Sequence, residues 1–163
     1  MALKSIEYTV AEEGEDQGKV FVITRMSAFD ADRWGRHVLH AALAGGYRAP
    51  DGDDAAEGMA SIAEAGIRIF GMMAPEAADR LLDRLMQCVR IIRDPAHPTP
   101  QPVIPADIQE VGTVGLLQME AMRLHTDFFS GASVFIFLPV AQLLQAVGED
   151  ARSAPTSRAP SPA

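Results

Sequence analysis

The chain has 163 residues, 48% of them apolar and 22% charged, with a formal net charge of −8 and an isoelectric point near 4.9. These values suit one domain with a hydrophobic core and argue against wholesale disorder. They disfavour nucleic acid or anionic lipid as a partner, because the arginines are scattered among carboxylates and form no basic run.

The N-terminal residues Met1 to Glu7 hold no basic segment followed by an apolar one, so no secretory signal is read there. The single cysteine, Cys88, has no partner for an internal disulfide, and a reducing cytoplasm fits. Cys88 follows Leu81, Leu82 and Leu85 on an expected helix and reads as a small buried side chain. Gly131 to Gly148 carries no charge, and Val134-Phe135-Ile136-Phe137-Leu138 is wholly apolar. Pro139 interrupts this stretch, and Gln142 and Gln145 dilute it, so no membrane span is expected.

In chain order, residues 1–26 predict a β-hairpin. Ile6, Tyr8 and Val10 alternate with polar residues, and Val20-Phe21-Val22-Ile23-Thr24 is rich in β-formers. The loop Glu12 to Gly18 between them is acidic and is expected to be solvated. Helical spacing begins at Ser27, whose side chain can cap the first turn, with Asp30 placed to favour the helix dipole. This helix should run to Ala44 and stop at Gly45-Gly46. Asp54 is expected to cap a second helix carrying Met59, Ile62, Ala63, Ile67 and Phe70. Pro75 suits the first position of a third, with Leu81, Leu82, Leu85 and Met86 inward.

Pro95, Pro98, Pro100 and Pro102 then force an extended loop, flanked by short strands at Val89–Ile92 and Val103–Ile104. A fourth and longest helix should start near Asp107. The expected fold is therefore mainly α (α+β): a hairpin followed by a bundle of four or five helices. Residues 27–129 form its helical core, residues 130–150 an apolar segment, and residues 151–163 a disordered tail of Ala, Ser, Pro, Arg and Thr.

No residue set announces a reaction. His37 and His40 lie three apart on one expected helix, but no third ligand stands at a metal-binding spacing. The phosphate-cradling glycine patterns and the GxSxG elbow are absent from the sequence, and Gly131-Ala132-Ser133 lacks the second glycine. Carboxylate pairs such as Asp30/Asp32 and Asp53/Asp54 fall at turns and caps. The sequence predicts no catalytic residue, no metal and no cofactor.

The positive signal is one of surface. On the fourth helix, Ile108, Val111, Met119 and Met122 fall in one stripe with Gly115 and Thr126. Val114, Leu117, Ala121, Leu124 and Phe128 fall in a second, about 140° away on helical geometry. Two stripes mean either a central helix packed on both sides or one face kept for a partner. The methionines near these faces fill cores or adapt to irregular partners. The expected partner-binding residues are Leu117, Leu124 and Phe128, with Phe135, Phe137 and Leu138 beyond them.

Several segments resemble, in order, the tail assembly chaperones of long-tailed bacteriophages and prophages. They are Val22 to Ala28 leading into a helix with Trp34, Gly58-Met59-Ala60, Leu81 to Val89, Asp107 to Val111, and Leu124 to Phe129. The resemblance spans roughly Lys19 to Phe129, rests on packing and capping patterns, and leaves Ser130 to Ala163 unmatched. It implies a non-catalytic protein of the bacterial host cytoplasm. Such proteins hold the hydrophobic tape measure protein soluble and help recruit tail tube protein onto it. The same surfaces are compatible with self-association. Two alternatives stay open on the sequence: a bacterial helical adaptor or regulator of a host protein, and a small enzyme with a scattered site.

Overall fold

The computed structural model describes residues 4–48 and 65–126. The hairpin forms as β1 (Ser5–Thr9) and β2 (Val20–Thr24), paired antiparallel with Tyr8 opposite Phe21 and Ile6 opposite Ile23. It is half of a sheet in the order β1-β2-β3-β4, completed by β3 (Val89–Ile92) and β4 (Gln101–Pro102). In β3, Ile91 faces Phe21 and Val89 faces Ile23. Two apolar rows, Tyr8-Phe21-Ile91 and Ile6-Ile23-Val89, therefore cross the sheet on one side, where Phe21 and Ile23 are fully buried.

The architecture is accordingly mixed α+β rather than a hairpin attached to a helical bundle. The expected strand at Val103–Ile104 is displaced to Gln101–Pro102. The Ile104 N–H is taken by the Asp107 carboxylate at 2.7 Å, which removes Ile104 from the ladder, and Pro102 occupies an edge strand that tolerates a missing donor. Arg93 braces this corner, its guanidinium donating to both Asp107 oxygens at 2.7 and 2.6 Å and to the Pro102 carbonyl at 2.9 Å.

Helix α1 (Ala28–Ala44) has the expected bounds. Ser27 Oγ accepts from the Asp30 N–H and donates to the Asp30 carboxylate, and Gly46 takes the left-handed φ of +91° that ends the helix. Helix α2 (Pro75–Met86) starts on its proline and buries Leu81 and Leu85. Residues 49–64 lie outside the described part, and with them the expected second helix from its Asp54 cap through Ala63. Gly66–Met72 is a 3-10 helix, entered through Gly66 at a φ of +52°, a conformation that α-helix does not allow.

Helix α3 (Val111–Thr126) begins four residues later than expected, after a 3-10 turn at Pro105–Asp107. The carboxylate of Asp107 is committed to Arg93 and Ile104, so it does not cap the helix. The buried faces of α1, α2 and α3, the 3-10 residues Ile69 and Phe70, and the sheet residues Phe21, Ile23, Val89 and Ile91 share one hydrophobic cluster. No helix among the described residues is long and apolar enough to cross a membrane.

Candidate functional site

Helix α3 was expected to present its second apolar stripe to a partner, and the structure reverses the two stripes. Leu117 is fully buried and Leu124 is 3% exposed, with Ala121 buried between them, so this stripe is core. The cause is crowding around α3: it packs against α2, the 3-10 helix and β2, which together cover this side. Phe128, Phe135, Phe137 and Leu138 lie outside the described residues, as do the apolar segment and the C-terminal tail.

The first stripe stands partly in solvent. Val111 is 89% and Met119 41% exposed, four residues either side of exposed Gly115, while Met122 turns into the core. A Cβ added at Gly112 or Gly115 would meet nothing within 4 Å, so the helix backbone is bare between these side chains. Glycine inside a helix costs roughly 1 kcal/mol relative to alanine. No neighbour at these positions requires it, and the bare backbone admits close approach by another chain. The same helix carries Glu120 and Arg123, 3.4 Å apart, on its exposed side. On α1, Phe29 is 86% exposed.

Two polar anchors hold α3 in place, and neither is legible as a motif. At its start, Asp16 is 1% exposed, although the rest of the β1–β2 loop from Glu12 to Gly18 is exposed as expected. Its carboxylate accepts the N–H groups of Gln109 at 3.0 Å and Glu110 at 3.0 Å, and Lys19 Nζ at 2.6 Å. Burial opposes the charge on Asp16. The bonds from Lys19, Gln109, Glu110 and the Thr113 hydroxyl outweigh it and hold the carboxyl well below the usual carboxylate range. Nearby, Glu110 accepts the Glu15 N–H at 2.9 Å, in space that Gly14 leaves open and a Cβ would fill. At the other end, His125 lies buried against Trp34, ring centroids 6.0 Å apart.

These anchors are structural, since each polar atom is consumed by the fold. The remaining histidines do not join them: His37 and His40 stand exposed on α1, and His97 caps a surface turn with Asp94 at 2.8 Å. No trio of His, Cys, Asp or Glu able to hold a metal ion occurs among the described residues. Cys88 is half-buried with its thiol directed at the Arg84 carbonyl, and burial pushes its pKa up. The geometry offers an apolar, glycine-bared helix face on a rigidly anchored element, which suits binding another polypeptide. Comparison with protein-family models, with curated proteins and with solved structures returned no match.

Proposed function

We propose that this chain is a non-catalytic tail assembly chaperone of a long-tailed phage or prophage. It binds the tape measure protein in the cytoplasm of the bacterial host and helps recruit tail tube subunits onto it. The observation that carries the reading is the outward face of α3, where Val111 and Met119 stand in solvent beside bare glycine backbone. Single exposed apolar side chains are ordinary, but an aligned set on one helix next to uncovered backbone is a surface for a partner.

Two further features support it. The segments that carry the resemblance are bonded to one another: Met26 to His125 at 2.9 Å, Trp34 Nε1 to the Leu81 carbonyl at 3.1 Å, and Thr24 to the Cys88 carbonyl at 3.0 Å. Their order along the chain thus corresponds to a set of mutual contacts rather than to unrelated surface runs. The net charge of −8 also suits a protein that must keep a hydrophobic client in solution. The test is co-expression with the tape measure protein from the same genome. The reading expects a soluble, co-purifying complex; a tape measure protein equally soluble without this chain, and not retained by it, would remove the reading.

A further inference from the structure

The arginines that are scattered along the sequence do not stay scattered in the fold. Asp30, Arg33, Trp34, His37 and Ala41 recur at helical spacing on one face of α1, and Ala77, Arg80, Leu81 and Arg84 do so on one face of α2. The two faces lie side by side and enclose a groove of about 670 Å³. Its floor is apolar, made by the largely buried Trp34 and Leu81, which are tied together through the indole N–H and the Leu81 carbonyl.

The wall chemistry runs against the rest of the molecule. The chain carries 22 acidic and 14 basic residues, yet the groove gathers Arg33, Arg80, Arg84, His37 and His40 around one carboxylate, Asp30. Asp30 is already engaged, by Ser27 at 2.8 Å and by Arg84 at 3.5 Å. Arg33 and Arg80 are exposed and have no carboxylate partner among the described residues. A volume of this size with an apolar floor and unpaired guanidinium groups on its rim is built for apolar groups flanked by negative charge.

We propose that the groove between α1 and α2 is a docking site for an acidic amphipathic segment of a partner protein. The segment's apolar side chains enter against Trp34 and Leu81, and its carboxylates meet Arg33 and Arg80. Two neighbouring helix faces with an apolar trough between them fit a third helix laid into the trough. Charge complementarity selects the occupant: the acidic field of the whole protein repels a polyanion such as nucleic acid, while a short peptide with a few carboxylates feels mainly the local guanidinium groups. The site shares no residue with α3, so it stands apart from the tape measure contact proposed above.

Trp34 is the chain's only tryptophan and lies in the groove, so its emission reports occupancy directly. The experiment titrates the full-length protein with a fluorescein-labelled synthetic peptide bearing leucines at helical spacing and glutamates elsewhere. A lysine-for-glutamate counterpart and a single-stranded oligonucleotide serve as comparisons. The expected result is saturable binding of the glutamate peptide alone, with a change in Trp34 emission. The double variant R33E/R80E should bind at least about tenfold more weakly at unchanged circular dichroism. If that variant fails to fold, R33Q/R80Q should lose several-fold. Equal binding of the lysine peptide, preferential binding of the oligonucleotide, or unchanged affinity in the folded variants overturns the proposal. So does a Trp34 change that follows protein concentration alone, which would assign the groove to a second copy. A failure to retain the tape measure protein leaves this measurement unaffected.

Discussion

His125 Nε2 accepts the backbone N–H of Met26 at 2.9 Å, while His125 Nδ1 donates to the Ala121 carbonyl at 2.7 Å. The two bonds together require the neutral ring with its proton on Nδ1, because Nε2 must offer a lone pair. Burial lowers the pKa of this histidine; the Ala121 bond opposes that, and the charges of Arg25 and Arg84 add to it. The unfolded chain takes up a proton near the ordinary histidine value of about 6.5, which the folded chain resists. His125 therefore contributes stability that is complete above that pH and is lost as the pH falls below it, towards the lower folded value. Thermal unfolding followed between pH 7.5 and pH 5 should show Tm falling with acidity. His125→Gln, whose side-chain oxygen can still accept from Met26, should flatten that dependence.

Asp16 acts in a lower window. Its folded pKa is depressed, so its contribution is present above the ordinary carboxylate value of about 3.9 and is lost as the pH falls through that value towards the folded one. Asp16→Ala removes the acceptor for the N–H groups of Gln109 and Glu110, both at the positive end of the α3 dipole, and leaves Lys19 without its 2.6 Å partner. The variant should melt several degrees lower at pH 7 and lose less further stability on acidification to pH 3. Asp16→Asn, which keeps one acceptor oxygen and loses the charge, should fall between the two.

The local half of this fold was legible because local rules decide it. The alternation in β1 and β2, the Ser27 cap, the Gly45-Gly46 stop and the Pro75 start all depend on neighbours within a few positions. What escaped depends on residues far apart. The Asp16 carboxylate meets its N–H donors across 93 and 94 positions, and those bonds bury this one side chain of an otherwise exposed loop. The pairing of β2 with β3 similarly joins strands separated, among the described residues, by α1, the 3-10 helix and α2, so the hairpin could be read but not the sheet that absorbs it. On α3, periodicity found both apolar stripes but carries no information about which one the other elements cover. Equally, no run of basic residues marks the groove, since Arg33 and Arg80 meet only when α1 packs on α2.

Gly45 illustrates a constraint of close approach rather than of backbone conformation, since its φ is an ordinary −80°. A Cβ at this position would fall on the Met72 backbone carbonyl, which cannot swing away as a side chain would. Gly45→Ala should destabilise the domain by about 1–3 kcal/mol, the usual cost of overpacking a filled contact. Chemical denaturation at equilibrium measures it. Gly112→Ala, with open space at the same atom and a better helix former in place, should stabilise by roughly 1 kcal/mol instead.

The last prediction separates core from contact on α3. Leu124→Asp places a carboxylate in the buried hydrophobic cluster, at a position only 3% exposed. An unpaired charge there costs several kcal/mol, comparable to the roughly 5–15 kcal/mol that holds a domain of this size together. This variant should lose its thermal transition, and any loss of partner binding would follow from unfolding. Val111→Asp and Met119→Asp act on side chains that are 89% and 41% exposed, where surface substitutions usually change stability by within about 0.5 kcal/mol. The double variant should keep its circular dichroism spectrum and Tm yet retain at least about tenfold less tape measure protein in a co-expression pull-down. That loss is expected because each charge would be desolvated at the contact. A folded double variant that retains the tape measure protein as well as the wild-type chain does would remove the α3 face as the contact. Retention by the unfolded Leu124→Asp chain would show that binding needs no folded surface at all.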